Sequence, residues 1–84
     1  MNQIPSPIID AFYAGKRGDL PFCVNDNVVV TSGKYAGRVG AVICPESVDT
    51  DPVFLVEFGD DGSSALLVAS RLRLLDEVAS SDDV

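Results

Sequence analysis

The sequence predicts a mostly β fold, a small barrel of five short strands preceded by one short N-terminal α-helix. Three features of the chain carry that prediction. A β-branched run, Val28-Val29-Val30, is broken by Gly33, Gly37 and Gly40 around a tight turn and resumes as an apolar stretch to Cys44, which suits two pleated, half-buried strands. The segment VFLVEF, Val53 to Phe58, is the most strand-like run of the chain, and Gly59-Asp60-Asp61-Gly62 after it is a strong hairpin turn. A length of 84 residues with 46% apolar composition allows one core and one domain. Closure into a barrel suits a domain this small because it removes exposed edges.

The helix is expected between Ile4 and Gly15, IPSPIIDAFYAG. Ser6 is placed to cap it, Pro7 fits its first position, Asp10 lies toward its positive end and Gly15 ends it. Ile8 with Phe12, and Ile9 with Tyr13, fall four apart and give one apolar face. About two turns of helix do not stand alone in water, so that face must be buried, either over an open end of the barrel or on a partner. Lys16 to Asn27 is a connector with Gly18, Pro21 and a turn-prone Asn25-Asp26-Asn27, in which Leu20, Phe22 and Val24 alternate as a short edge strand would.

The glycine-bracketed stretch follows. Each of Gly33, Gly37 and Gly40 is expected to meet a backbone demand, either positive φ or the close approach of another strand. In the strand after the turn, Val39, Ala41 and Ile43 are assigned to one face and Gly40, Val42 and Cys44 to the other. No helix pattern or Gly-Lys-Ser/Thr follows, which excludes a phosphate loop. PESVDTDP is a polar loop, and Phe54, Val56 and Phe58 form the core-directed side of the next strand. Ser64 to Ala69 returns, Ser70-Arg71 is a single-turn 3₁₀ connector, and Leu72 to Leu75 is the last strand. The chain divides into a helical arm (1–15), the barrel (16–77) and an acidic tail (78–84) expected to be disordered.

Val28-Val29-Val30, then Gly33, then Gly37 and Gly40 with Val42 and Ile43 behind them, resembles the KOW motif of ribosomal large-subunit proteins and transcription elongation factors. Asn25-Asp26 stands where that family often has Gly-Asp. The resemblance covers Val24 to Pro45 and implies an SH3-like small barrel for most of the remainder. It also implies that loops around the motif supply basic and aromatic side chains to RNA or protein. The matching positions are Lys34, Tyr35 and Arg38, with Arg71 and Arg73 from the last strands.

Charge points the other way. The chain carries 13 acidic and 6 basic residues, a net charge of −7, and such a protein repels a phosphate backbone at long range. No apolar run approaches the roughly 20 residues of a membrane span, and no export signal is read at the N-terminus, so a cytoplasmic location is expected. Cys23 and Cys44 are the two cysteines and read as small apolar residues, with a disulfide between them as the alternative. A zinc site would need further ligands, and the chain has no histidine.

Without histidine every mechanism built on an imidazole base is excluded, and either cysteine would lack an activating base. Asp60 and Asp61 are adjacent turn residues that point apart, and Asp49-Thr50-Asp51 lacks the rest of a calcium loop. The expectation is therefore no enzyme, no cofactor and no metal. A groove lined by aromatics, as in domains that bind proline-rich peptides, has no counterpart without tryptophan. The favoured function is a protein–protein interaction module, an accessory subunit or an inhibitor of a basic partner, monomeric when free. Its candidate binding residues are the loop acids Glu46, Asp49, Asp51, Asp60 and Asp61, expected opposite the basic turn. The alternative is a KOW-type nucleic-acid binder linked to transcription or translation, using Lys34, Tyr35, Arg38, Arg71 and Arg73.

Overall fold

The computed structural model describes residues 4–77. These form α1 (Ser6–Tyr13), β1 (Asn27–Val30), β2 (Val39–Ser47), β3 (Val53–Phe58), β4 (Ser64–Val68), a 3₁₀ turn (Ala69–Arg71) and β5 (Leu72–Leu74). All pairings are antiparallel, in the order β4-β3-β2-β1-β5. The mostly β class, the five strands and the short helix are as expected. The sheet is open, with β4 and β5 as its edges and no ladder between them among the described residues. What covers the inner face is the N-terminal segment. Phe12, Leu20, Phe22 and Cys23 are buried in the same cluster as Val28, Val30, Val42, Phe54, Val56, Phe58, Leu67 and Leu72. The expected tail (78–84) lies outside the described residues.

α1 docks inward. Pro5, rather than Ser6, takes the cap position with no side-chain bond, and its carbonyl accepts from the Ile8 and Ile9 N–H groups at 3.0 and 3.2 Å. Proline suits this place because its fixed φ is pre-set for the chain's entry into the helix. The Phe12 ring lies 6.3 Å from Phe54 and nearly parallel to it, while Phe22 meets Phe54 edge-on at 5.5 Å. Tyr13, expected on the buried face, stays exposed, because one further residue turns a helix by about 100° away from the face that Phe12 occupies.

The edge strand expected through Leu20, Phe22 and Val24 does not form. Leu20 and Phe22 are buried, but the segment is irregular. Pro21 has no N–H, the Cys23 N–H is taken by the Asp26 carboxylate at 2.8 Å, and Asn25 adopts φ +65°. No row of donors is left for a ladder.

The glycines of the β1–β2 hairpin divide as their backbone requires. Gly37 adopts φ +88°. A Cβ on Gly40 would sit 2.6 Å from the Glu57 carbonyl oxygen and 2.8 Å from Val56 Cγ1, so β2 and β3 cross closely there. Further along, Val42 pairs with Val56 but Cys44 pairs with Leu55, which makes Ile43 the extra residue of a β-bulge. The bulge corrects the face assignment: Cys44 stands beside Leu55, and Pro45 takes the core side next to Phe54. Cys23 and Cys44 are both free thiols, one in the core and the other on the outer face. Among the described residues no helix is long and apolar enough to cross a membrane.

Candidate functional site

The β1–β2 turn is closed by Gly37 N–H to the Val30 carbonyl at 2.7 Å and Val30 N–H to the Arg38 carbonyl at 2.9 Å. This sets Lys34, Tyr35 and Arg38 beside the β3–β4 turn, since Gly40 pairs with Phe58. Tyr35 is half-buried, its ring 5.2 Å from that of Phe58. The Arg38 guanidinium lies 4.1 Å over the Phe58 ring and donates from Nη2 to Asp60 Oδ1 at 2.6 Å and Asp61 Oδ1 at 3.0 Å. Lys34 Nζ stands 5.5 Å from the Tyr35 ring centre. The Arg71 side chain lies against Gly33, so the structure brings it to this turn. Arg73 is set apart on β5, opposite Val29. The result is a basic turn whose most central charge and whose aromatic ring are already engaged.

The acids do not lie as expected. Asp60 and Asp61 are beside the basic turn rather than opposite it, and they converge on one Arg38 nitrogen rather than pointing apart, because the β2–β3 register carries the two hairpin turns to the same end of the sheet. Asp61 Oδ1 also accepts from Ser63 Oγ at 2.7 Å and Ser63 N–H at 2.9 Å. Those bonds first, and Arg38 after them, hold the Asp61 carboxyl down to about 2. Asp51 accepts from Ser70 N–H at 2.8 Å and Ser70 Oγ at 2.5 Å at the surface, and so seats the 3₁₀ turn. Glu46 accepts from Cys44 Sγ at 3.4 Å, and Asp49 is exposed in the β2–β3 connection. The acids thus form two groups, Asp60 with Asp61 at one end of β3 and β4, and Glu46, Asp49 and Asp51 at the other.

Between those groups lies a surface that the sequence reading passed over. On the face of the sheet away from the core, Leu66 of β4, Leu55 of β3 and Cys44 of β2 stand in one row across three strands, with Val68 and Val53 in the next. Leu66 is 58% exposed and Val39, farther along the same face, 43%. Antiparallel sheets commonly keep polar residues on the side that faces water. The signal was present in VFLVEF, where Val53 and Leu55 make the non-core positions apolar as well.

Other chemistry is engaged in structure. Arg17 clamps Asp26 through Nε at 2.9 Å and Nη2 at 2.7 Å, and Asp26 also holds the Cys23 N–H. Burial alone would raise the Asp26 carboxyl, but the bonds from Arg17 and Cys23 outweigh it and leave it below the ordinary range. The pair walls a pocket of about 400 Å³ shared with Asn25, Asn27 and Leu74. Burial, then neighbouring carboxylates, push both thiols up, Cys23 beside Asp26 and Cys44 beside Glu46, the opposite of what activates a cysteine. No metal-binding cluster occurs among the described residues. Comparison with family models, curated proteins and solved structures returns no match for this chain.

Proposed function

We propose that this chain is a non-catalytic protein–protein interaction module of the cytoplasm, an accessory subunit or an inhibitor of a basic partner, monomeric when free and needing no cofactor. The observation that carries this reading is the apolar row of exposed Leu66 with half-buried Leu55 and Cys44, which no element among the described residues covers, between two groups of carboxylates. Exposed apolar area rimmed by charge marks surfaces that meet other proteins, and the charge of −7 selects a basic one. The strand order, the 3₁₀ turn between β4 and β5, and the glycine-bracketed β1–β2 turn support an SH3-like barrel of KOW type. In that reading the N-terminal segment fills the mouth that the strands leave open.

One observation favours a competing reading. Lys34 and Arg71 flank the β1–β2 turn without an ion-pair partner among the described residues, as a KOW-type nucleic-acid binder would require. Titration of labelled RNA and single-stranded DNA by fluorescence anisotropy, at about 50 and 200 mM salt, separates the two. The protein-partner reading expects no binding at either salt. Specific binding that weakens steeply between them would replace it with the nucleic-acid reading.

A further inference from the structure

β4 is an edge of the sheet that its own sequence leaves unguarded. Ser64–Val68 contains neither a charge nor a proline, the residues that usually keep an edge from accepting another strand. The opposite edge is built differently: β5 is three residues long, carries Arg73 and follows directly on Arg71.

The ladder also fixes which backbone groups of β4 are free. Phe58 N–H donates to the Ser63 carbonyl and Ala69 N–H to the Pro52 carbonyl, each at 2.7 Å. By the alternation of an antiparallel pair, Ser63, Ala65, Leu67 and Ala69 direct their N–H and C=O groups at β3. Those of Ser64, Leu66 and Val68 face the open edge, and Leu66 is the more exposed of the two apolar side chains there.

Charge brackets this edge. At its start lie Asp60, Asp61 and Glu57, the last paired with Ser64, with Arg38 offsetting one of the three. At its finish lies Asp51, bonded to Ser70.

We propose that the β4 edge accepts an extended segment of a basic partner protein as an added strand. Its alternate residues would be apolar, continuing the row of Leu55 and Leu66, with lysine or arginine near both ends. This rests on the protein-partner reading above and states how the partner is held. Main-chain bonds to Ser64, Leu66 and Val68 supply affinity, and the apolar row with its acidic ends supplies selectivity. A second copy of this chain fits poorly. Antiparallel pairing of two β4 edges would bring the Asp60–Asp61 turn of one copy to Asp51 of the other, in chains of net charge −7.

The test uses the full chain, ¹⁵N-labelled, and two synthetic probes. One is the peptide Lys-Arg-Thr-Val-Thr-Val-Thr-Arg-Lys; the other is the same peptide N-methylated at both valines, whose N–H groups face β4 when their side chains continue the Leu66 row. Strand addition predicts that the first peptide shifts the amides of Ser64, Leu66 and Val68 more than those of Ala65 and Leu67. The methylated peptide should bind at least about tenfold more weakly, the equivalent of one or two backbone hydrogen bonds. Equal binding of the two peptides would overturn strand addition while leaving the protein-partner reading intact. No shift with either at millimolar concentration would also overturn it, and the broader reading would then rest on its own crosslinking measurement. Concentration-dependent shifts at Ser64–Val68 without peptide would overturn it in favour of a second copy.

Discussion

On the inner face of the sheet, Phe54, Val56 and Phe58 of β3 are sealed from solvent, Phe54 against Phe12 of α1 and Phe22 after it, and Phe58 under Tyr35 and Arg38 of the β1–β2 turn. On the outer face, the residues between them tell a different story: Leu55 is half-buried and its neighbour Leu66 is 58% exposed. Apolar side chains stand on both faces, yet among the described residues only the inner face is covered by another element. The difference separates two uses of the same residue type. Burial of the inner face drives folding, at about 25 cal/mol per Å² of apolar surface removed from water, whereas the outer face contributes little to folding and remains available to another molecule.

Substitutions on the two faces should therefore part company. The largest effect is expected for Phe54→Ala, which empties the space between Phe12 and Phe22 and should cost about 3–5 kcal/mol in a urea unfolding curve. Gly40→Val comes next: a side chain there meets the Glu57 carbonyl and Val56, and we expect a loss of about 3 kcal/mol from forcing β2 away from β3. Leu66→Thr should change stability by no more than about 0.5 kcal/mol, because it alters an exposed position and keeps a strand-forming residue. A loss of more than about 2 kcal/mol at Leu66 would show that the outer face is part of the core after all.

The smallest expected effect concerns pH. Asp61 ionises at about 2 in the folded chain against an ordinary 3.8. The folded pKa is depressed, so its contribution to stability is fully present above about 3.8 and is lost as pH falls through about 2. A carboxyl-detected NMR titration should show this, and Ser63→Ala should move the midpoint upward more than Arg38→Gln does. The reverse order would mean that the ion pair, rather than the Ser63 bonds, governs the β3–β4 turn.

Much of this architecture was legible in the residues. The alternation in VFLVEF identified Phe54, Val56 and Phe58 as core, and the spacing of Gly33, Gly37 and Gly40 identified a turn and a close crossing. What escaped the reading was set by register. The bulge at Ile43 turns Cys44 to the outer face, and the Gly40–Phe58 pairing brings Arg38 to Asp60 and Asp61. Neither follows from local pattern, because each depends on which residue of one strand stands opposite which of another. The open sheet escaped for a related reason. The N-terminal segment carries Leu20, Phe22 and Cys23 into the core without forming a strand, so the inner face is covered without closing a ladder.

In the function proposed above, the outer face meets a protein and the basic turn does not meet nucleic acid. It is tested most directly by placing the photocrosslinker p-benzoylphenylalanine at Leu66 in one variant and at Lys34 in another, then irradiating cells that express each. The account predicts a discrete protein adduct from position 66, reproduced on purification, and none from position 34. Nucleic-acid adducts from position 34, with position 66 unreacted, would contradict it.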